Sequence, residues 1–331
     1  MTNYLKYLLH KRIPIFLAVL SAFLIIAIIN VSTMIPNSYD TYYKPQMFSV
    51  FSTIFSVALV FLAMFEFSFK MRKVSIDQAY SFPLKREKFY LSRFIIGYLE
   101  AAIPLVVTYI ISMMYLKIKG FPYLINYNAI FTFLPCLLIL GLLAYGFVVF
   151  FYTQANNLID GVATVGLALL APILLFNALG SYGPMHNSYG SYYFIFYPII
   201  GVTEAFNEAV LGGTIKFSLN YAFDSSYMVF ATITVLVVSL AATIGSYFTP
   251  RTFDSEKCGQ VSESWFCYKI LLPVLLISTS RFFQSSIITG LMVVVTYFGY
   301  VLYRRSFKLN LKYWIVFGSI AAAEIIILFI N

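Results

Sequence analysis

The sequence predicts an all-α protein that crosses a lipid membrane many times. Apolar residues make up 61 % of the 331 residues and charged residues only 11 %, whereas soluble domains average about 45–50 % apolar and about 25 % charged residues. The apolar residues fall in long runs, and a helix of about 20 residues crosses roughly 30 Å of hydrocarbon. Because lipid offers no hydrogen-bond partner to a free backbone group, each spanning run must be helical.

Six runs in the first three quarters of the chain are long enough to span a membrane. The first is too long for the apolar region of a cleaved signal peptide, which has about 7–15 residues, so we expect it to be retained as a span. Prolines inside the runs are tolerated in membrane helices. The six runs cover residues 13–35, 47–69, 94–116, 129–152, 159–179 and 227–248.

The C-terminal part predicts about three additional transmembrane helices. The runs at 286–303 and 313–330 are just long enough, whereas the run at 270–278 is short and is followed by Arg281. The predicted organisation therefore has three parts. These are a six-span core at 1–248, a basic cytoplasmic loop at 249–269, and extra helices at 270–331.

The distribution of basic residues predicts a cytoplasmic N-terminus in the plasma membrane. If the predicted spans alternate in direction, 17 of the 22 Lys and Arg residues lie on the same side of the membrane as the N-terminus, and 5 lie on the opposite side. The positive-inside rule assigns the side with the excess of Lys and Arg to the cytoplasm. The net charge of +9 is thus a topology signal. No basic helix with interleaved aromatics sits in a polar domain, so we expect no nucleic-acid partner.

Three segments between or before the spans have distinct patterns. Residues 3–12 place leucines on one face and predict a helix along the inner membrane interface. The loop at 70–93 carries seven basic residues and predicts a short helix at 75–82, ended by Pro83. The outer segment at 180–226 contains an apolar stretch that predicts a re-entrant or interfacial piece, and its tyrosines include two candidate pathway residues, Tyr193 and Tyr197.

Motifs for catalysis are missing from the sequence. It has no G-x-x-x-x-G-K-[ST], no G-x-G-x-x-G and no H-E-x-x-H, which bind nucleotide phosphates, dinucleotides and zinc respectively. The predicted topology places His10 and His186 on opposite sides of the membrane, so they cannot share a metal. The three cysteines have no metal-ligand spacing and are predicted to be reduced thiols. We therefore predict no catalytic residue, no metal and no bound cofactor.

Carboxylates inside apolar helices are functional candidates by default. Glu66 and Asp160 lie at the ends of their runs, where topology and the helix dipole favour a structural role. Glu100 lies seven residues past Arg93, about two helical turns deeper. It is therefore the candidate pathway residue of this group.

The cytoplasmic loop carries a resemblance to a known family. The pattern begins with an acidic residue, Asp77, and continues with a small–apolar–Pro stretch at Ser81, Phe82 and Pro83. A basic pair follows at Lys85 and Arg86, and then an apolar–Ser–Arg sequence at Leu91, Ser92 and Arg93. This order resembles the first cytoplasmic loop of ABC-2-type permeases, the membrane subunits of bacterial ATP-binding-cassette exporters. A second match follows the sixth run, with Arg251, Glu256, Cys258 and Gly259, although Cys258 replaces a more usual Ala.

The resemblance covers about residues 1–260 and implies a six-helix permease core. The additional C-terminal helices exceed that core and resemble the longer permeases of some antibiotic-response and peptide-export transporters. The resemblance implies that the loop docks on a separate ATPase subunit, which would hold ATP and Mg²⁺. The residues implied in this coupling are Asp77, Tyr80, Phe82, Pro83, Lys85 and Arg86.

The resemblance also implies partners and a substrate class. Two permease subunits, identical or related, would enclose a path through the membrane lipid, above two ATPase subunits. The chain itself would bind no cofactor and would not be an enzyme. A peptide, an antimicrobial or a lipid-like compound suits the family as the exported substrate.

Two other functions stay open at the level of the sequence. A secondary carrier driven by an ion gradient would need carboxylates near the middle of the bilayer, where no facing cluster is visible. A polytopic glycosyl or acyl transferase would need paired acids or a His in an outer loop. For that activity Glu204, Glu208 and Asp224 are the only candidates, and they are scattered.

Overall fold

The described part of the chain is helical throughout, with turns and short loops between the helices. A computed structural model describes residues 2–33, 49–82, 84–118, 127–180, 194–210, 226–252, 255–260, 269–283, 286–304, 306–308, 310–311 and 313–318. No β-strand occurs within these ranges. The predicted all-α class is therefore confirmed for the described residues.

The α-helices below form the framework of the described ranges. In chain order they are α1 (Thr2–Thr33), α2 (Ser49–Phe67), α3 (Lys73–Tyr80), α4 (Arg86–Ile118), α5 (Tyr127–Gln154), α6 (Leu158–Gly180), α7 (Tyr197–Val210), α8 (Ser226–Phe248), α9 (Leu272–Phe283) and α10 (Ser286–Arg304). Short 3-10 turns cover Ser68–Met71, Thr249–Thr252 and Ser255–Lys257.

Five helices in the described ranges are long and apolar enough to cross a membrane. They contain Tyr4–Ile29, Ser49–Met71, Arg86–Tyr115, Tyr127–Gln154 and Val229–Phe248, and they coincide with the predicted first, second, third, fourth and sixth runs. The architecture is that of a polytopic, membrane-embedded protein.

The runs predicted at 159–179 and 286–303 also lie within helices. The first lies in α6, which contains the apolar stretch Leu158–Leu174, and the second lies in α10, which contains the apolar stretch Gly290–Val301. The doubtful run at 270–278 lies mostly within α9, a helix of 12 residues. Most of the run at 313–330 falls outside the described residues.

The helices form two compact units that interleave along the chain. The first unit comprises Met1–Ser68, Gln78–Phe150 and Ile195–Thr252, and the second comprises Phe69–Asp77, Phe151–Phe194 and Phe253–Asn331. Within the second unit, α6 packs on α9, and α9 packs on α10. The division of the sequence into parts at residues 248 and 269 stays a prediction.

The first unit is held together by an apolar stripe on α2. Phe51, Phe55, Leu59, Ala63 and Phe67 recur every four residues and are fully buried, so they lie on one side of the helix. Both α1 and α7 contact α2, and α4 packs against α1 and α2.

Small residues allow close approach between helices in the first unit. A Cβ added at Gly141 of α5 would lie 2.5 Å from the ring of Phe55 on α2. A Cβ at Gly146, also on α5, would clash with Thr243 of α8. Glycines at such positions are typical of helix pairs packed within a membrane, because they let the backbones come close together.

Residues 3–12 form the first turns of α1 and not a separate helix. Helix-forming Leu, Lys and Arg residues fill this segment, and no glycine separates it from the first span. Tyr4 and Leu8 of these turns are buried. The N-terminal end of α1 is therefore part of the packed first unit.

Candidate functional site

The loop with the family resemblance contains a short helix. The sequence predicts a helix at 75–82, and the structure has α3 over Lys73–Tyr80. A turn follows, in which the Ser81 hydroxyl donates a hydrogen bond of 2.7 Å to the carbonyl of Gln78. The predicted terminator, Pro83, lies outside the described residues.

Helix α3 has a buried side and an outward face. Ile76 and Ala79 are 1 % and 6 % exposed, whereas Lys73, Val74 and Asp77 are all exposed. Val74 keeps 69 % of its surface accessible. We call Lys73, Val74 and Asp77 the outward face of α3; it presents one apolar side chain between two opposite charges.

The other predicted coupling residues lie in the first unit. The Arg86 guanidinium lies 4.5 Å from the centroid of the Tyr80 ring, which is a cation–π distance. The Phe82 ring lies 5.3 Å from that of Tyr4 at the start of α1. Lys85 is exposed. The structure therefore brings Tyr80 and Arg86 together and attaches Phe82 to the N-terminal helix.

An acid and two arginines from three helices form a largely buried cluster. Arg12 Nη2 of α1 lies 2.7 Å from Glu66 Oε1 of α2, and Arg93 Nη1 of α4 lies 3.7 Å from Glu66 Oε2. Arg93 Nη1 also donates a hydrogen bond of 3.0 Å to the Glu66 carbonyl. The Glu66 side chain is only 1 % exposed. We call these three residues the acid–arginine cluster.

Sequence reasoning missed this cluster. The sequence predicts that Glu66 lies at the end of a span, and that Arg12 and Arg93 are basic residues that set the orientation in the membrane. One signal was available: all three were predicted near the same membrane surface, and a buried carboxylate requires a compensating partner. Which helix faces bring them together depends on packing, which the sequence pattern does not specify.

The candidate pathway residue Glu100 lines a cavity between α1 and α4. The cavity has a volume of about 430 Å³ and is lined by Lys6, Leu9, His10, Arg12, Ile13, Phe16, Ile96, Leu99, Glu100 and Ile103. Glu100 is 4 % exposed, and neither of its carboxyl oxygens has a hydrogen-bond partner among the described residues.

Of the two tyrosines predicted for the pathway, Tyr197 does not line this cavity. Tyr193 lies outside the part of the chain that the structure describes, and Tyr197 begins α7. Helix α7 meets α4 at Tyr109, farther along α4 than Glu100, where the ring centroids of Tyr109 and Phe206 are 5.3 Å apart. The stretch predicted as re-entrant is thus largely a 14-residue helix.

Cys258 and Gly259 of the second match to the family lie in a junction of loops in the second unit. The Cys258 thiol donates a hydrogen bond of 3.2 Å to the carbonyl of Lys70, and the Lys70 ammonium donates one to the carbonyl of Thr153. The Gly259 amide donates a bond of 2.9 Å to the carbonyl of Asn156. We call this group the loop junction.

Two features of the loop junction depend on residue type. Gly259 has a φ of 76°, in the left-handed region that favours glycine. Burial raises the pKa of the Cys258 thiol, and the Asp77 carboxylate adds to the rise while Lys70 and Lys73 oppose it. The thiol is therefore kept in the protonated form that its hydrogen bond to Lys70 requires.

Within the described ranges, no group of three or more His, Cys, Asp or Glu side chains is arranged to hold a metal ion. Of the transferase candidates, Glu204 lies on α7 with an exposed side chain, and Asp224 is outside the described ranges.

Comparisons with known proteins add no assignment. No protein-family model, no curated protein and no solved structure matches this chain.

Proposed function

We propose that this protein is the membrane-spanning permease subunit of an ABC-2-type ATP-binding-cassette transporter. It would export a peptide, an antimicrobial or a lipid-like compound, with ATP hydrolysed by a separate ATPase subunit. One observation carries the proposal: a short helix with an exposed face, α3, lies in the chain between two membrane-length helices, α2 and α4. It occupies the loop whose residues resemble the coupling segment of that family.

The form of α3 suits the transmission of force. A short helix is stiffer than an irregular loop, and a buried side, here Ile76 and Ala79, anchors it to the protein. The Ser68–Met71 turn connects it to α2. A partner that pushes on α3 would therefore move the ends of the spanning helices.

The outward face of α3 suits a protein partner. Interfaces combine apolar contacts with charges that orient the partner. Val74 offers the apolar contact, with Lys73 and Asp77 beside it. A partner with a small apolar pocket flanked by both charge signs would cover this face.

Several other features belong to the same proposal. The chain has no P-loop, so ATP and Mg²⁺ would be held by the partner ATPase. The basic loops would place the N-terminus in the cytoplasm. A second permease subunit, the same chain or a related one, would complete the path, and about three C-terminal helices would extend the six-helix core.

A secondary carrier driven by an ion gradient is the second candidate function. Glu66 and Glu100 are both buried within membrane-length helices, with exposures of 0 % and 4 %, and intramembrane acids are common in ion-coupled transport. If the protein is such a carrier, Glu100→Gln should abolish transport, and no ATPase should accompany the protein.

A capture experiment tests the permease proposal. The tagged protein is purified from native membranes in mild detergent, and its companions are identified by mass spectrometry. We expect a stoichiometric P-loop ATPase, which a Val74→Arg variant loses. Phe307→Arg is the matched control, because Phe307 is also apolar and 74 % exposed but lies after α10.

The outcome separates the two functions. Loss of the ATPase from the α3 variant alone, with unchanged gel filtration, supports the permease. A well-folded protein that brings no ATPase overturns it. In that case, loss of transport in Glu100→Gln would support the carrier.

A further inference from the structure

The cavity between α1 and α4 has a basic end and an apolar end. Lys6 and His10 lie on the first turns of α1, whereas Phe16 lies about 9 Å farther along the helix than His10, at 1.5 Å per residue. On α4, Glu100 and Ile103 line the same cavity. The N-terminal ends of both helices lie together, since the ring centroids of Tyr4 and Phe89 are 5.2 Å apart. The basic end therefore lies toward one membrane surface.

The charges at the basic end are not fully compensated. Arg12 is paired with Glu66, but neither Lys6 nor His10 takes part in an ion pair within the described ranges. Both side chains are exposed. This end of the cavity is therefore complementary to an anionic group.

Glu100 indicates that the cavity is completed by a ligand. Glu100 is 4 % exposed, and its two buried carboxyl oxygens have no hydrogen-bond partner among the described residues. Leaving a buried polar group unsatisfied is costly. A ligand oxygen or donor placed in the cavity would satisfy it.

We propose that this cavity binds a phospholipid with an anionic headgroup, taken from the leaflet at the N-terminal ends of α1 and α4. The phosphate would contact Lys6 and His10, and one acyl chain would lie along Phe16 and Ile103. Glu100 in its protonated form would donate a hydrogen bond to an ester carbonyl of the lipid. This binding does not depend on an ATPase partner.

The size and lining of the cavity favour a lipid over a soluble anion. A volume of about 430 Å³ lies within the usual range of ligand sites, about 300–1,000 Å³. It accommodates a headgroup and the first part of a chain. A free phosphate would use the basic end only and would leave the apolar walls uncovered.

Lipid binding to the purified full-length protein tests the basic end. Delipidated protein in detergent is titrated with phosphatidylglycerol or phosphatidylcholine, and bound lipid is counted by native mass spectrometry. We expect phosphatidylglycerol to bind preferentially and inorganic phosphate not to compete. Lys6→Glu changes the local charge by two units. It should weaken phosphatidylglycerol binding about 25-fold, which corresponds to the attraction that two basic residues near a membrane surface exert on anionic lipid.

Lys11→Glu is the matched control for Lys6→Glu. Lys11 is one of the exposed residues on the same helix and does not line the cavity, so it makes the same change in net charge outside the site. Equal weakening by both variants, equal binding of the two lipids, or competition by inorganic phosphate would overturn the proposal.

Two substitutions of Glu100 test the apolar end. Glu100→Gln keeps a hydrogen-bond donor and should retain phosphatidylglycerol within about threefold, whereas Glu100→Leu removes it and should weaken binding about tenfold. Unchanged binding in Glu100→Leu would overturn the role of Glu100. Capture of an ATPase by all these variants is measured in parallel, so that failure of lipid binding is distinguished from failure of the proposed function.

Discussion

Glu66 links three helices through its two arginine partners. Removing it would leave Arg12 and Arg93, whose side chains are 14 % and 16 % exposed, without their acidic partner in a largely buried site. Breaking a buried ion pair by removing one member costs about 3–5 kcal/mol. We expect Glu66→Ala to lower the free energy of unfolding by that amount, as measured by thermal unfolding in detergent.

A control at an exposed acid separates this effect from a general charge effect. Glu256 is exposed in the loop junction's turn, and Glu256→Ala should change the midpoint of unfolding very little. Adding Arg12→Glu to Glu66→Arg should restore part of the stability lost in Glu66→Arg alone, because the two groups couple directly. Equal midpoints for Glu66→Ala and the wild type would contradict the described cluster.

Gly97 lies where α4 meets both Glu66 and Tyr145. A Cβ at this position would clash with the Tyr145 hydroxyl and would lie 2.7 Å from Cγ of Glu66. We expect Gly97→Ala to destabilise the protein by about 1–3 kcal/mol through overpacking. The measurement is again the midpoint of thermal unfolding.

Gly166 provides the matched control for Gly97. It also lies inside a helix, α6, but a Cβ there would meet nothing within 4 Å, so Gly166→Ala should be neutral or stabilise by about 0.5–1 kcal/mol. Adding Tyr145→Phe to Gly97→Ala removes the clashing hydroxyl and should restore part of the stability. A neutral Gly97→Ala variant would show that α4 packs differently.

At the level of elements, the loop junction depends on the backbone of Gly259. Its φ of 76° costs a residue with a side chain roughly 1–2 kcal/mol. Because a Cβ there would meet no atom within 4 Å, Gly259→Ala tests the backbone alone. We expect Gly259→Ala to lower the free energy of unfolding by this backbone cost. Gly259→Asn should lower it less, since Asn tolerates the left-handed region better.

A helical glycine with open surroundings is the control for Gly259. Gly290 lies in α10, and a Cβ there would also meet nothing within 4 Å, so Gly290→Ala should not destabilise the protein. If Gly259→Ala were as stable as Gly290→Ala, the left-handed conformation described for Gly259 would be wrong.

The elements differ in how far the sequence determines them. The five membrane-length helices and α3 were predicted because each depends on a local pattern: an apolar run, or a short polar stretch bounded by a turn. The pairing of Glu66 with Arg12, the cavity beside Glu100 and the grouping of α6 with α9 were not predicted. Each of these depends on which helix faces meet, and apolar runs with no clear periodicity do not specify a face.

At the level of the whole molecule, the basic loops predict the orientation in the membrane. With the N-terminus in the cytoplasm, as we propose, position 74 faces inward and position 188, in the outer segment, faces outward. Single cysteines at Val74 and Ser188 are introduced after replacing Cys136, Cys258 and Cys267. We expect a membrane-impermeant maleimide to label position 188 in intact cells, and position 74 only after permeabilisation. The opposite pattern would reverse the topology.

If α3 docks on an ATPase, as we propose, cross-linking in native membranes will join the two proteins. A photo-reactive amino acid replaces Val74 on the outward face of α3, with the same replacement at Phe307 as the control. We expect an ultraviolet-dependent adduct from position 74, absent from position 307, that contains a P-loop ATPase. No adduct from position 74, or an adduct with lipid alone, would contradict it.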